Sequence, residues 1–361
     1  MMMKEKKPTF TRLLFLGALL FLIVSGCQNK RGDAIRSEFD PNLWFPNNLA
    51  REINRVLPSI IEVAAIVEYR VEEYVYELLD GKYIPDPNSP AGYRLKPGKA
   101  GIIESRTSTK AFGAGMVIGK SPTENLILTS RHIVVQKDTI TDYIYLMNRY
   151  TDIPRTRAIL TRNELGIRGR NNMLRPAAIL ASDARMDLAL ITVARKDYLG
   201  QEYNGDVLIN FTPVSGQFAI AVGYPDEMVQ IAMGLTATAP YPGNFSLGIH
   251  GDFGFSGGPI FLFDPQKGLQ LIGIGKSIPG QRLFYVAPDS SLRFKTRLTT
   301  VDIPHLLVDE MPVLAPHRIY GVKIEHVLRF IRNHLGLIER RGFRLSPAFF
   351  DAVRKVESTS K

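Results

Sequence analysis

The stretch Gly251-Asp252-Phe253-Gly254-Phe255-Ser256-Gly257-Gly258-Pro259 sets one serine among four glycines and closes on a proline. Glycine takes backbone angles that side chains forbid, and it lets another molecule approach the main chain closely. A serine framed in this way presents an exposed hydroxyl on a tight turn. Its neighbouring backbone N–H groups are then free to face a developing negative charge. A nucleophilic serine needs this arrangement, together with a base beside it and a carboxylate that orients the base.

Working outward, His132 stands in Leu128-Thr129-Ser130-Arg131-His132-Ile133-Val134, directly after an apolar strand. Asp187 opens Asp187-Leu188-Ala189-Leu190, directly before another. Asp183, four residues earlier, competes for the carboxylate role, but only Asp187 adjoins the apolar run. Short apolar runs separated by turn residues recur at 116–118, 126–129, 143–147, 188–193, 218–222, 231–238, 260–263 and 269–274. Many short strands with glycine- and proline-rich turns predict an all-β sandwich or barrel. Serine, histidine and aspartate all sit at strand ends, where the loops of a β scaffold converge. Residues 60–71, rich in β-branched side chains, read as a first strand. Residues 82–110, with Pro85, Pro87, Pro90 and Pro97, read as a long loop or insertion. Leu49, Ile53, Val56 and Leu57 predict a short N-terminal helix stopped by Pro58. Val327, Leu328, Ile331 and Leu335 predict a C-terminal helix closed by Gly336.

These segments, in this order, resemble the trypsin-like (chymotrypsin-fold) serine proteases, and among them the bacterial HtrA/Deg branch. Gly113-Ala114-Gly115-Met116-Val117-Ile118 is similar to a strand that the family opens with Gly-Ser-Gly, and 128–134 to the strand that ends in its histidine. The run from Asp183 to Leu190 is similar to its aspartate segment, Val222-Gly223-Tyr224-Pro225 to its Gly-Asn-Pro turn, and Gly254 to Pro259 to its serine loop. Leu271-Ile272-Gly273-Ile274 resembles the strand lining the substrate cleft, and Ile319-Tyr320-Gly321-Val322-Lys323-Ile324 the end of the protease domain. The resemblance covers about 45–336. It implies two six-stranded antiparallel β-barrels, one at about 58–197 and one at about 205–300, with the active site between them. It further implies a serine endopeptidase in which Ser256 attacks, His132 carries the proton and Asp187 orients the histidine. The N–H groups of Gly254 and Ser256 would form the oxyanion hole. His250 stands where the floor of the specificity pocket would be, and Gly275 and Lys276 follow the cleft-lining strand. The two basic residues suit an acidic substrate side chain, unless both are solvated loop residues. Phe255 and Arg131 replace smaller residues of the family and keep open a degenerate trypsin-like lipoprotein that acts as a peptide-binding or scaffold module without cleaving. No PDZ-like carboxylate-binding loop is recognised after residue 300.

Composition agrees with a folded chain. Of 361 residues, 45% are hydrophobic and 22% charged, which excludes wholesale disorder. The formal charge of +10 lies mostly at the ends: Lys4, Lys6, Lys7 and Arg12 face only Glu5, and ten basic residues face four acids after residue 316. A nearly neutral middle argues against a nucleic-acid groove. The basic segment 337–361 reads as a tail that lies on anionic lipid or as a solvated helix face. No metal or organic cofactor is implied.

One cysteine excludes a disulfide framework and a cysteine-rich zinc site. It follows an apolar run, 13–26, that is too short to span a bilayer and reads as a signal-peptide core. Val24-Ser25-Gly26-Cys27 resembles the lipobox of bacterial lipoproteins, which implies a cleaved leader at 1–26, lipidation of Cys27 and a tether through residue 44. The expected place is the cell envelope outside the cytoplasm. Gln28 is similar to the pattern of lipoproteins sorted to the outer membrane.

Overall fold

The computed structural model describes residues 48–146, 149–168, 173–198, 200–278, 280–288, 306–314 and 317–358. The readings on the leader, Cys27 and most of the tether lie outside these residues. Helix α1 (Leu49–Val56) occurs where the apolar spacing places it.

After α1, β1 (Ile60–Tyr74) leads through a small hairpin, β2 (Leu78–Leu79) and β3 (Lys82–Tyr83), into β4 (Ile102–Lys120). There follow β5 (Glu124–Ser130), the single turn α2 (Arg131–Val134), β6 (Thr139–Leu146), β7 (Arg149–Arg168), β8 (Leu174–Asp183) and β9 (Leu188–Ala194). The antiparallel order is β1-β4-β5-β9-β8-β7, and β1 also pairs with β7, so six strands close on themselves with β6 outside the ring. Closure removes the unpaired edges that an open sheet would expose. Ile61, Val63, Val117, Ile127, Ile167, Ile191 and Val193 fill the interior. Each fully buried aliphatic chain of this size contributes about 1.5–3 kcal/mol.

The insertion is shorter than expected. Residues 102–110 are strand, because Ile102–Lys110 pair one by one with Tyr74–Ile66. After Ile102 and Ile103 the side chains are polar, and those from Ile103 to Thr109 are exposed, so no apolar run announces the strand. The remaining loop is held by rings of Tyr76, Tyr83 and Tyr93 meeting edge to face, and by Tyr76 donating its hydroxyl to the Pro154 carbonyl on β7.

The second ring contains β11 (Phe218–Gly223), β12 (Gln230–Thr238), β13 (Asn244–Gly248), β14 (Pro259–Asp264) and β15 (Gly268–Ser277), preceded by a short β10 (Asp206–Val207) that runs parallel beside β15. After a two-stranded ribbon, β16 (Gly280–Pro288) with β17 (Leu306–Leu314), comes its sixth member, β18 (Ile319–Lys323). The antiparallel order is β11-β12-β13-β18-β15-β14, and β14 returns to β11. The fold is thus mostly strand, two closed six-stranded antiparallel barrels, as the sequence implied. The second barrel extends past residue 300 to take in β18.

The basic C-terminal segment is folded through residue 358, the last described. Helices α3 (Ile324–Asn333) and α4 (Leu335–Arg340) precede β19 (Arg344–Leu345), which pairs with β4, and α5 (Pro347–Ser358). Gly336, read as a helix stop, lies inside α4. Phe349, Ala352, Val353 and Val356 recur at helical spacing and are buried, so α5 docks one apolar face and leaves Arg354 and Lys355 exposed.

Candidate active site

The ladder between β5 and β9 brings the histidine and the aspartate together. Ser130 pairs with Leu188, so the next residues of one strand meet the preceding residue of the other. Arg131 N–H donates to the Asp187 carbonyl at 3.0 Å, extending the ladder by one bond. The backbone N–H of His132 donates to Asp187 Oδ1 at 2.9 Å, and the ring Nδ1–H to Oδ2 at 2.7 Å. A carboxylate on Nδ1 leaves Nε2 as the atom able to accept a proton. Asp187 holds a left-handed backbone, φ 58°, which aspartate tolerates better than most side chains. Its carboxylate side chain is 16% exposed, against 47% for the imidazole, so the pair has a sheltered end and an open end. Asp183 instead accepts the Met186 N–H at 2.8 Å and does not reach the imidazole.

Ser256 sits on the glycine-rich loop between β13 and β14. Its carbonyl accepts Ala114 N–H from the first barrel at 2.7 Å, and Gly257 N–H donates to the Gly275 carbonyl at 2.7 Å. Ser130 Oγ donates to that same Gly275 carbonyl at 3.0 Å. The two barrels are therefore hydrogen-bonded to each other at the serine. Ser256 Oγ donates to the Lys276 carbonyl at 3.3 Å and makes no hydrogen bond to His132. Both side chains line one cleft of about 530 Å³, walled by Ala111, Phe112, Ile133, Phe253 and Ile278, with Lys110 and Lys276 as its cations.

Among the described residues no group accepts the N–H of Gly254 or of Ser256. Gly254 has φ 111°, and a Cβ there would stand 2.5 Å from the Tyr224–Pro225 peptide. Tyr224 N–H donates to the Gly254 carbonyl at 3.0 Å, turning that carbonyl back into the protein. Phe255 is buried, 3% exposed, with its ring against Gly223, where a Cβ would come within 2.8 Å. A large side chain thus fits at this position because the turn beside it lacks one. Arg131 is only half-buried.

The other sequence-predicted residues divide. Lys276 borders the cleft, and Gly275 supplies the backbone acceptor that anchors the serine loop. His250 is exposed and is not among the cleft-lining residues.

A charged cluster behind the cleft escaped the sequence reading. Glu62 on β1 is 2% exposed and faces Arg168 Nε at 3.2 Å and Lys110 Nζ at 3.7 Å. Glu227, in the turn after Pro225, pairs with both of the same cations. Burial pushes the Glu62 carboxyl up, with Arg168 and Lys110 pulling back. Asp226 and Glu227 both hold positive φ, 48° and 66°. The ion pairs therefore tie a strained turn to the first barrel. Tyr224, in that turn, donates its hydroxyl to the Ile60 carbonyl at 3.1 Å, and burial pushes its pKa up to about 12. The available signal was Glu62 itself, the single charge in the run Ile60 to Val67.

Residues 113–274 match the family model described as trypsin-like peptidase domain. Among solved structures, the chain is similar to a serine endoprotease from Yersinia pestis, at 14% identity over 81% of this chain and 68% of that one, TM-score 0.41. It is also similar to an HtrA-type protease solved with a decapeptide, at 12% identity over 80% and 67%, TM-score 0.43. No curated protein matches the sequence. The domain match supports a trypsin-like peptidase.

Proposed function

We propose that this protein is a serine endopeptidase that works through Ser256, His132 and Asp187 and an acyl-enzyme. The observation that carries the reading is the pair of hydrogen bonds from His132 to one carboxylate, 2.7 and 2.9 Å, on a cleft that also holds Ser256. In this reading Ser256 Oγ leaves the Lys276 carbonyl by rotation about its Cα–Cβ bond and turns to His132 Nε2. It attacks the scissile carbonyl while Nε2 takes its proton. The imidazolium so formed is stabilised by Asp187, and Nε2 then passes the proton to the leaving amine. Water repeats the sequence on the acyl-enzyme and frees the acid. The oxyanion is received by the N–H groups of Gly254 and Ser256, each donor of this kind lowering the barrier by about 3 kcal/mol. Hydrolysis of casein and of short peptides by the full chain tests the proposal. Activity that Ser256→Ala abolishes supports it, and activity that survives the substitution refutes it.

A second reading follows from the serine hydroxyl, which bonds Lys276 and not the histidine: a degenerate member that binds peptides and does not turn them over. The Val24 to Cys27 segment supports placing the protein in the bacterial envelope, anchored by lipid on Cys27 and facing away from the cytoplasm. Mass measurement of the mature protein from membranes, showing an acylated Cys27 N-terminus or an unprocessed leader, decides that point.

A further inference from the structure

A second cavity, of about 400 Å³, adjoins the cleft through Lys276, which lines both. Its wall takes Arg185 from the loop that ends in Asp187, His326 and Arg329 from α3, and the neutral amides of Asn244 and Asn333. Asp183 is the one carboxylate on that wall, and Oδ1 of it is already bonded to the Met186 N–H. Arg329 pairs with Glu325 at 2.6 Å on the same helix. Arg185 and Lys276 have no ion-pair partner among the described residues. Arg185, Lys276 and Arg329 against Asp183 on the wall and Glu325 beside it, three cations to two carboxylates, leave the wall positive. His326 registers that field, since burial together with Arg329, Lys323 and Arg185 lowers its pKa, with Glu325 opposing.

The cavity is shaped by the backbone. β15 pairs Gly275 with Gly321 and Ser277 with Tyr320, which leaves Lys276 as the extra residue of a bulge. Bulges re-aim side chains beside active sites, and here the bulged residue also offers its carbonyl to Ser256 Oγ. The His326 ring packs where Gly243 has no side chain, and a Cβ there would stand 2.6 Å from Nε2.

The geometry points to this cavity as a binding site for an acidic side chain of the peptide substrate, aspartate or glutamate, lying within a few residues of the scissile bond. The proposal rests on the serine-peptidase reading and adds the substrate class. A volume of this order leaves ample room for one side chain, and a guanidinium fork with an ammonium suits a carboxylate. Because one residue touches both the serine hydroxyl and the cavity, a chain lying across the cleft can reach in without leaving it.

The test uses the full chain carrying Ser256→Ala, so that binding is read without turnover. Fluorescent octapeptides with one glutamate moved along the sequence, each paired with its glutamine twin, are titrated by anisotropy. Glutamate at one position, or at two neighbours, is expected to bind about tenfold more tightly than glutamine. That ratio should fall to about one in Arg185→Gln/Arg329→Gln and persist largely in Arg185→Lys, with melting curves confirming that each variant is folded. The ratio should also grow as pH falls from 8 to 6, since a bound carboxylate favours protonated His326. Equal binding of the twins at every position, no binding by any peptide, or a ratio unchanged in the double glutamine variant overturns the proposal. Failure of the parent reading shows separately, as absence of hydrolysis of the same peptides by the chain with Ser256 intact.

Discussion

The two barrels contribute to the cleft in different ways. The first delivers a finished unit: β5 and β9 are in register up to Ser130 and Leu188, and two hydrogen bonds from His132 and one from the Arg131 N–H, of 2.7 to 3.0 Å, then hold Asp187 against the histidine. The second delivers a loop whose main chain is pinned, with Ser256 bonded to Ala114 and Gly257 to Gly275, while the serine hydroxyl still bonds Lys276. In the proposed roles, the base half is preorganised by a side-chain pair and two backbone N–H groups, and the nucleophile half by backbone alone. In the proposed mechanism, rotation of the Ser256 side chain separates the resting arrangement from an attacking one, which costs far less than assembling a loop. On that mechanism, substrate binding has little left to organise beyond the serine side chain itself.

Substitutions that break one half at a time probe this contrast. His132→Ala removes the base outright and should lower kcat by about 10⁶-fold, measured on the best peptide substrate. Asp187→Asn keeps the shape but favours the wrong imidazole tautomer, so a fall of about 10⁴-fold is expected. A smaller loss there would mean that the two backbone-supported bonds orient the ring without the carboxylate charge. On the nucleophile side, Gly254→Ala forces a methyl group against the Tyr224–Pro225 peptide at a φ of 111°. It should turn the oxyanion donor away and cost about 10²–10³-fold in kcat. Unchanged kcat in that variant would remove Gly254 from the hole.

The charged cluster sharpens the comparison, because it links the two halves from behind. Glu227→Gln frees the turn that backs Gly254 from Lys110 and Arg168, and should lower kcat several-fold with little change in KM. The smallest effect concerns Glu62. Burial holds its carboxyl above the ordinary value, so the fold favours the protonated form and loses that stability as pH rises through the raised pKa. Glu62→Gln keeps a neutral group of the same shape, while Glu227 still faces both cations. Its melting temperature should match the native protein near pH 4.5 and exceed it near pH 8. The opposite order at pH 8 would show that the ion pairs outweigh burial.

Much of this architecture was readable beforehand, and the misses share a physical cause. Strands buried along their length, such as β5, β9, β11 and β15, announce themselves as apolar runs. β7 and β8 do not: Arg149–Arg168 and Leu174–Asp183 mix charges and prolines with apolar residues, because each strand keeps part of its surface in water. The first half of β4 escaped for the same reason. Ser256, His132 and Asp187, the proposed triad, stood out because glycine framing and strand-end positions are local signals. The Glu62 cluster and the Arg185 cavity join residues more than a hundred positions apart, so only the closed barrels bring them together. His250 lay near the serine in sequence, yet the fold leaves it exposed outside the cleft.

The central claim is that the nucleophile half is ready but for one side-chain rotation. It is tested most directly by exposing the full chain to a fluorophosphonate and locating the adduct by mass spectrometry. The account predicts one phosphonylated residue, Ser256, with labelling lost in Ser256→Ala and strongly slowed in His132→Ala. A native chain that never labels, while remaining folded by its melting curve, would contradict it and favour a peptide-binding protein with an inert serine.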